Sequence, residues 1–281
     1  MKEFIEFKID EDLSFWGVID YPKNIDKRKR YGGALFLHDI GSDFSGPCNL
    51  FCNLTEKLNE KDIVTLRISF RGFGESKDHL KDRVIEDHLQ DAYKALQWLF
   101  SQKYINKEKI TIIGHGYGAA IASTITQYHS EIKKLILLSP PENLPKFFIE
   151  RAYYSTFRPK PGERVFVNSE DVINILEEKG YIDIFGYAYS KHFFESLKNY
   201  KPLVDIQNLP EETKVLIIYG TEDKVVGEAP KLLIRTLVGK YHNSMDKYQE
   251  LPIDGATHYF NSIEHQNYVI EGISDFLEVD K

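Results

Sequence analysis

Sulfur is scarce in this chain: two cysteines, Cys48 and Cys52, and two methionines in 281 residues. Two cysteines cannot build a disulfide framework. Four positions apart on an expected helix, they share a face, where a disulfide within one turn has poor geometry and a metal site lacks further ligands. They read as buried or half-buried thiols. No apolar run approaches the roughly 20 residues that cross a bilayer, so no membrane span is expected. An excess of basic charge is missing too. The formal net charge is −7, which leaves no electrostatic footprint for nucleic acid, and the short run Lys27–Arg30 reads as a solvated turn between strands. There is no metal-ligand cluster and no phosphate-binding glycine loop. The stretch Arg71-Gly-Phe-Gly-Glu-Ser76 follows a strand but lacks the third glycine of a dinucleotide site. No cofactor and no metal are expected. The start, Met1-Lys-Glu-Phe-Ile-Glu-Phe-Lys8, alternates like a strand and not like an export signal, and with so few cysteines a cytoplasmic setting is expected.

What is present is an alternation of strand and helix. Residues 2–8 and 12–20 read as antiparallel edge strands. Gly33–His38, Ile63–Ser69, Ile110–Ile113, Lys134–Ser139 and Thr213–Gly220 are short apolar runs, as in strands buried on both faces. Between them lie helical patterns at 49–59, with Leu50, Phe51, Leu54 and Leu58 on one face, at 84–101, and at 119–126. Another helix is expected at 230–239, a strand at 247–251 and a last helix at 263–277. Such alternation implies a mostly parallel sheet covered on both faces. The pattern breaks at 142–209, where aromatics are dense (Phe147, Phe148, Tyr153, Tyr154, Phe157, Phe166, Tyr181, Phe185, Tyr187, Tyr189, Phe193, Phe194) and 158–163 carries two prolines and a glycine. This segment is expected to be a lid inserted into a single domain spanning 1–281, partly filling its own small core.

The centre of the pattern is Lys109-Ile-Thr-Ile-Ile-Gly-His-Gly-Tyr-Gly-Ala-Ala-Ile121. A β-branched run meets closely spaced glycines and then small helix-forming residues: strand, sharp turn, helix. Around it stand Phe36-Leu-His-Asp-Ile-Gly41, Gly46-Pro47, Arg71-Gly-Phe-Gly-Glu-Ser76, Gly220-Thr-Glu-Asp-Lys-Val-Val226 and Gly255-Ala-Thr-His258, in that order. Together these resemble the α/β-hydrolase superfamily over nearly the whole chain. Within it they look most like bacterial feruloyl (cinnamoyl) esterases and monoacylglycerol-lipase-like serine hydrolases. The resemblance implies an α/β-hydrolase fold and a Ser-His-Asp site acting on a small ester with an aromatic or acyl part. The acid would be Asp223, the base His258, and the oxyanion hole the backbone N–H groups of Ile40 and Tyr117. His115 would be a supporting residue, and His38 a brace of the oxyanion loop. Whether the chain forms a homodimer is left open.

Two positions depart from the family pattern. The G-x-S-x-G turn has Gly116 where the nucleophile belongs, and the oxyanion loop has His38-Asp39 where the family shows His-Gly. A carboxylate beside a developing oxyanion would repel it, so Asp39 either weakens a plain esterase reading or turns its side chain away. Three accounts of Gly116 stay open: an engineered replacement of serine in a working esterase, a natural pseudo-hydrolase that keeps the pocket for binding, or a reaction in which His258 and Asp223 act through water without a covalent intermediate. A pocket at the sheet's C-terminal edge, reaching Gly116, is expected.

Overall fold

The structure is a computed structural model, and residues 1–76, 78–158, 167–241 and 245–278 are described. The chain opens with β1 (Lys2–Lys8) and β2 (Ser14–Asp20), paired antiparallel. Then β3 (Tyr31–Leu37), α1 (Leu50–Glu60), β4 (Ile63–Ser69), α2 (Ile85–Ser101), β5 (Ile105–His115), α3 (Tyr117–Thr126) and β6 (Ile132–Leu138) alternate as the apolar periodicity requires. Next come α4 (Leu144–Phe157), α5 (Ser169–Lys179), the hairpin β7 (Tyr181–Ile184) and β8 (Tyr187–Ser190), then α6 (Lys191–Ser196) and α7 (Pro202–Gln207). The alternation resumes with β9 (Lys214–Gly220), α8 (Ala229–Lys240), β10 (Tyr248–Ile253) and α9 (Ile263–Glu278).

Eight strands form one sheet in the order β1-β2-β4-β3-β5-β6-β9-β10. The pairs from β4 to β10 are parallel, and β2 joins β4 antiparallel, so the N-terminal hairpin closes one edge with β1 outermost. Successive residues of the central strands face opposite sides. Ile112, Leu135 and Leu137 enter the larger apolar cluster with α2 and α3, whereas Ile113, Ile136 and Leu138 enter the one under α1 and α9. Both faces are covered, which is why these strands read as unbroken apolar runs.

The two cysteines do not share a helix face. Cys48 precedes α1, has φ 47° and is exposed, while Cys52 lies on α1 and is half-buried. The expected helix start is displaced because Cys48 and Asn49 both take left-handed backbone before the helix begins.

Between β6 and β9 the aromatics divide. Phe147, Phe148, Tyr189, Phe193 and Phe194 are buried, and Phe148 packs edge-on against Tyr117, Tyr189 and Phe193. Tyr154, Phe157, Tyr181 and Phe185 are exposed. Phe166 and residues 159–163 lie outside the described residues.

The strand ends that carry the site are fixed by register. Leu37 pairs with Gly114, and His115 with Leu138, so the loops after β3 and β5 emerge side by side. The helix after the β5 turn passes so close that a Cβ on Gly118 would stand 2.1 Å from the Leu37 carbonyl oxygen and 2.6 Å from that of His38. Neither is a flexible side chain. Overpacking costs about 1–3 kcal/mol in general, and Gly118→Ala is expected to cost about 3 kcal/mol in urea unfolding. A loss below about 1 kcal/mol would mean that this strand–helix contact is not close-packed.

Candidate active site

Gly116 joins β5 to α3 with φ 52° and ψ −117°, a conformation that side chains other than glycine's rarely tolerate. Its N–H donates to the Leu138 carbonyl at 2.9 Å. The turn is the strained strand-to-helix elbow expected from the sequence. The loops after β9 and β10 are tied by main chain: Thr221 N–H donates to Ile253 O and Glu222 N–H to Ala256 O, both at 3.0 Å. That pairing brings Asp223 to His258, whose Nδ1 lies 2.9 Å from Asp223 Oδ2.

Asp39 is turned inward. Its Oδ1 accepts the Tyr117 N–H at 2.8 Å, and its Oδ2 accepts from Arg151 Nη2 at 2.7 Å and lies 3.2 Å from His258 Nε2. A Cβ on Gly116 would meet Asp39 Cγ and Oδ1 at 2.4 Å each. Of the two alternatives for Asp39, a side chain turned away is thus not the one found. Its carboxylate lies on the elbow, at the amide expected to hold an oxyanion. The physical reason is Arg151. Without a cation, a buried carboxylate here would be prohibitively costly; with one, it is paired, and Tyr117 completes its hydrogen bonds. Ile40, the other expected donor, is buried, and its N–H has no hydrogen-bond partner among the described residues.

Arg151 stands on α4, and sequence reasoning missed it because no motif marks it. A signal was present: it shares the buried stripe of Phe147, Phe148 and Ala152, and a guanidinium on an apolar face needs a buried partner. Its other contacts are Tyr259 Oη, which accepts from Nη1 at 3.2 Å, and the Phe147 ring, 4.4 Å below the guanidinium. Asp39 and His258 are each 1% exposed and Arg151 4%. The site is closed. A cleft of about 430 Å³ opens beyond the Asp223 loop, lined by Glu142, Lys146, Glu150, Val226 and Arg235, and no site side chain lines it.

Burial would raise the pKa of Asp39, but the Arg151 charge foremost and His258 next hold it well below the usual carboxylate range. Burial would lower that of His258, but hydrogen bonds to Asp223 and Asp39 outweigh this and hold it above the ordinary imidazole value. Asp223 is lowered despite its burial, chiefly by its hydrogen bond with His258. A protonated His258 balances two buried carboxylates against two cations. When it loses that proton, its Nε2 lone pair is free to accept from Arg151 Nη2, 2.8 Å away.

Around this centre the neighbours are fixed. His115 donates from Nε2 to the His258 carbonyl at 2.9 Å, and burial drives its pKa down to about 4, so it is neutral. His38 braces the oxyanion loop between its own neighbour's carbonyl, Asp39 O at 2.7 Å, and Phe70 N–H at 3.0 Å. The Tyr117 ring points away from the elbow, its hydroxyl 2.9 Å from His88 Nδ1. Arg71 buttresses the adjacent turn through a buried ion pair with Asp91 at 2.7 Å.

The eight-stranded order, the elbow after β5 and the acid and histidine loops after β9 and β10 decide the architecture. The chain is an α/β-hydrolase-fold protein. The sequence profile of the alpha/beta hydrolase fold family matches residues 44–164. Esterase EstD of Thermotoga maritima is 23% identical over 231 residues, covering 80% of this chain and 53% of that protein, so the chain spans about half the length of that relative. The structure of Est1E from Butyrivibrio proteoclasticus with ferulic acid bound superimposes with a TM-score of 0.76 at 18% identity, covering 99% of this chain and 100% of that one. Mouse alpha/beta hydrolase domain-containing protein 10 gives 0.71 at 12% identity, with 99% and 100% covered. The α/β-hydrolase fold is thus matched over 99% of the chain.

Two outcomes test this electrostatic arrangement. Asp39→Asn leaves the buried Arg151 charge without its counter-ion and is expected to cost about 3 kcal/mol in denaturant unfolding. The raised pKa of His258 gives a sign as well. Its stabilisation is complete below its unfolded value of about 6.5 and is lost as pH rises through the higher folded value. The melting temperature is therefore expected to fall as pH rises above about 6.5, with a shallower slope in His258→Gln. An equal slope in the variant would assign the proton elsewhere.

Proposed function

We propose that this chain is a pseudo-hydrolase, an esterase-type scaffold that binds a small apolar or aromatic ligand and does not turn esters over through an acyl-enzyme. The observation that carries this reading is the Asp39 carboxylate, which stands where a side chain at 116 would begin. Against an engineered serine replacement, a serine here would collide with a carboxylate that the Tyr117 N–H and Arg151 hold in place. Against a water-based reaction, the space beside His258 Nε2 is filled by Asp39 and Arg151. In this reading residues 142–209 are a lid. Arg151 belongs to it, so releasing Arg151 from Asp39 and admitting a ligand to the Tyr117 amide are one movement. The ferulic acid bound in Est1E and the rings of Phe147, Phe185 and Tyr259 around Arg151 favour an aromatic ligand.

The test is hydrolysis of p-nitrophenyl acetate and methyl ferulate by the natural chain, Gly116→Ser and Gly116→Ser/Asp39→Gly, with calorimetric titration of ferulate and methyl ferulate into the natural chain. In a comparable serine protease, loss of the nucleophile lowers kcat about two-millionfold and leaves on the order of a thousandfold over water. The natural chain and Gly116→Ser are expected to show no turnover above that residue, while the double variant rises at least about a hundredfold, because only it has both a hydroxyl and an empty hole. Saturable binding of either titrant is expected. Full turnover by Gly116→Ser alone would overturn the reading, since it would mean that Asp39 yields freely. So would turnover by the natural chain that His258→Ala abolishes.

A further inference from the structure

We propose that Asp39, His115 and His258 form a binding site for one divalent transition-metal ion, with the Arg151 guanidinium as the competing internal cation. These three groups are buried, and each offers a ligand atom within 4.8 Å of the others. Asp39 Oδ2 and His258 Nε2 are 3.2 Å apart, close to the roughly 3.4 Å between neighbouring ligands of a tetrahedral ion with bonds of about 2.1 Å. The third donor, from His115, lies within 4.8 Å of the other two and must close by up to about 1.4 Å to reach that tetrahedral spacing.

The second shell carries the argument further. Metal-bound histidines use one ring nitrogen for the ion and commit the other to a carboxylate or carbonyl oxygen. Both histidines here are committed in that way. His258 Nδ1 is on Asp223 Oδ2 at 2.9 Å, leaving Nε2 for an ion. His115 Nε2 is on the His258 carbonyl at 2.9 Å, leaving Nδ1. That Nδ1 is fully buried and has no hydrogen-bond partner. A buried acceptor left unpaired calls for an explanation, and an ion at this site supplies one. Two imidazoles and one carboxylate suit zinc, cobalt or iron and not magnesium or calcium. Three protein ligands leave the remaining positions to water.

Arg151 already puts a positive charge here, with Nη2 2.7 Å from Asp39 Oδ2 and 2.8 Å from His258 Nε2. An ion and this guanidinium cannot occupy the place together. Binding therefore moves Arg151 aside, and its affinity is reduced by the energy of the ion pair it breaks. The inference concerns occupancy alone and does not depend on whether the chain binds an aromatic ligand.

The test is equilibrium dialysis of the full chain against Zn²⁺, with visible absorption of the Co²⁺ form, for the natural chain, His115→Phe and Arg151→Met. One equivalent bound with tetrahedral Co²⁺ bands is expected in the natural chain. The bands should be lost in His115→Phe, and the affinity should rise at least tenfold in Arg151→Met. If His115→Phe does not fold, Asp39→Asn takes its place, and if Arg151→Met does not fold, the natural chain against the ligand variant decides. No binding in the natural chain overturns the proposal, even where Arg151→Met binds, and so does binding that survives removal of the ligand. Either failure leaves the ester and ferulate measurements untouched.

Discussion

One buried ion pair, Asp39 with Arg151, sets the state of everything around it. It fills the Tyr117 amide, faces the histidine that would be the base, and fastens α4 of the insertion onto the C-terminal edge of the sheet. A buried pair offsets its desolvation only when the remaining hydrogen bonds are made. Here they are nearly all made. Both Asp39 oxygens have partners, and Arg151 adds Tyr259 Oη and the Phe147 face. The pair thus covers the strand ends where this kind of scaffold usually opens a pocket, and leaves Asp39, Arg151 and His258 buried.

A second arginine–aspartate pair 20 positions apart in sequence gives a useful contrast. Arg71 and Asp91 are buried beside the oxyanion loop, and the aspartate accepts both Arg71 Nε and its backbone N–H, while Nη2 reaches Asp87 O and Gln90 Oε1. That pair is a completed brace. At the Arg151 pair, Arg151 Nε and the neighbouring His115 Nδ1 are buried without partners. Unsatisfied buried groups cost stability and collect where a structure serves something other than its own stability. The two pairs share a chemistry, but only the Arg151–Asp39 pair leaves buried polar atoms beside it unpartnered.

The sheet was legible in the sequence because its strands are buried on both faces. Runs such as Ile110–Ile113 and Lys134–Ser139 have no competing helical period, and their bounds fall within a few residues of β5 and β6. The elbow was legible because its glycines are demanded by main-chain contacts at Gly114 and Gly118. Asp223 and His258 were placed together by motif order, which tracks the pairing of β9 with β10. What could not be read was the closure of the site. It depends on a side chain from the insertion crossing to a loop 112 positions earlier in sequence, and no local period or spacing encodes such a contact. Cys48 escaped for a local reason: two consecutive left-handed residues delay α1, and neither is a glycine.

The two departures from the serine-hydrolase pattern are physically one. A side chain at 116 and a carboxylate at 39 would claim the same volume, to within 2.4 Å, so glycine at 116 makes room for Asp39, and Asp39 in turn excludes a residue with a Cβ. Neighbouring substitutions of this kind are not additive. Once both are in place, restoring serine alone meets a steric and electrostatic barrier that neither change presents by itself. Arg151 deepens that coupling, because with Asp39 inward the guanidinium has a counter-ion, and without it a buried charge stands alone. A serine at 116 would therefore require a change at 39 as well, while the fold, the His258–Asp223 pair and the elbow are kept as they stand.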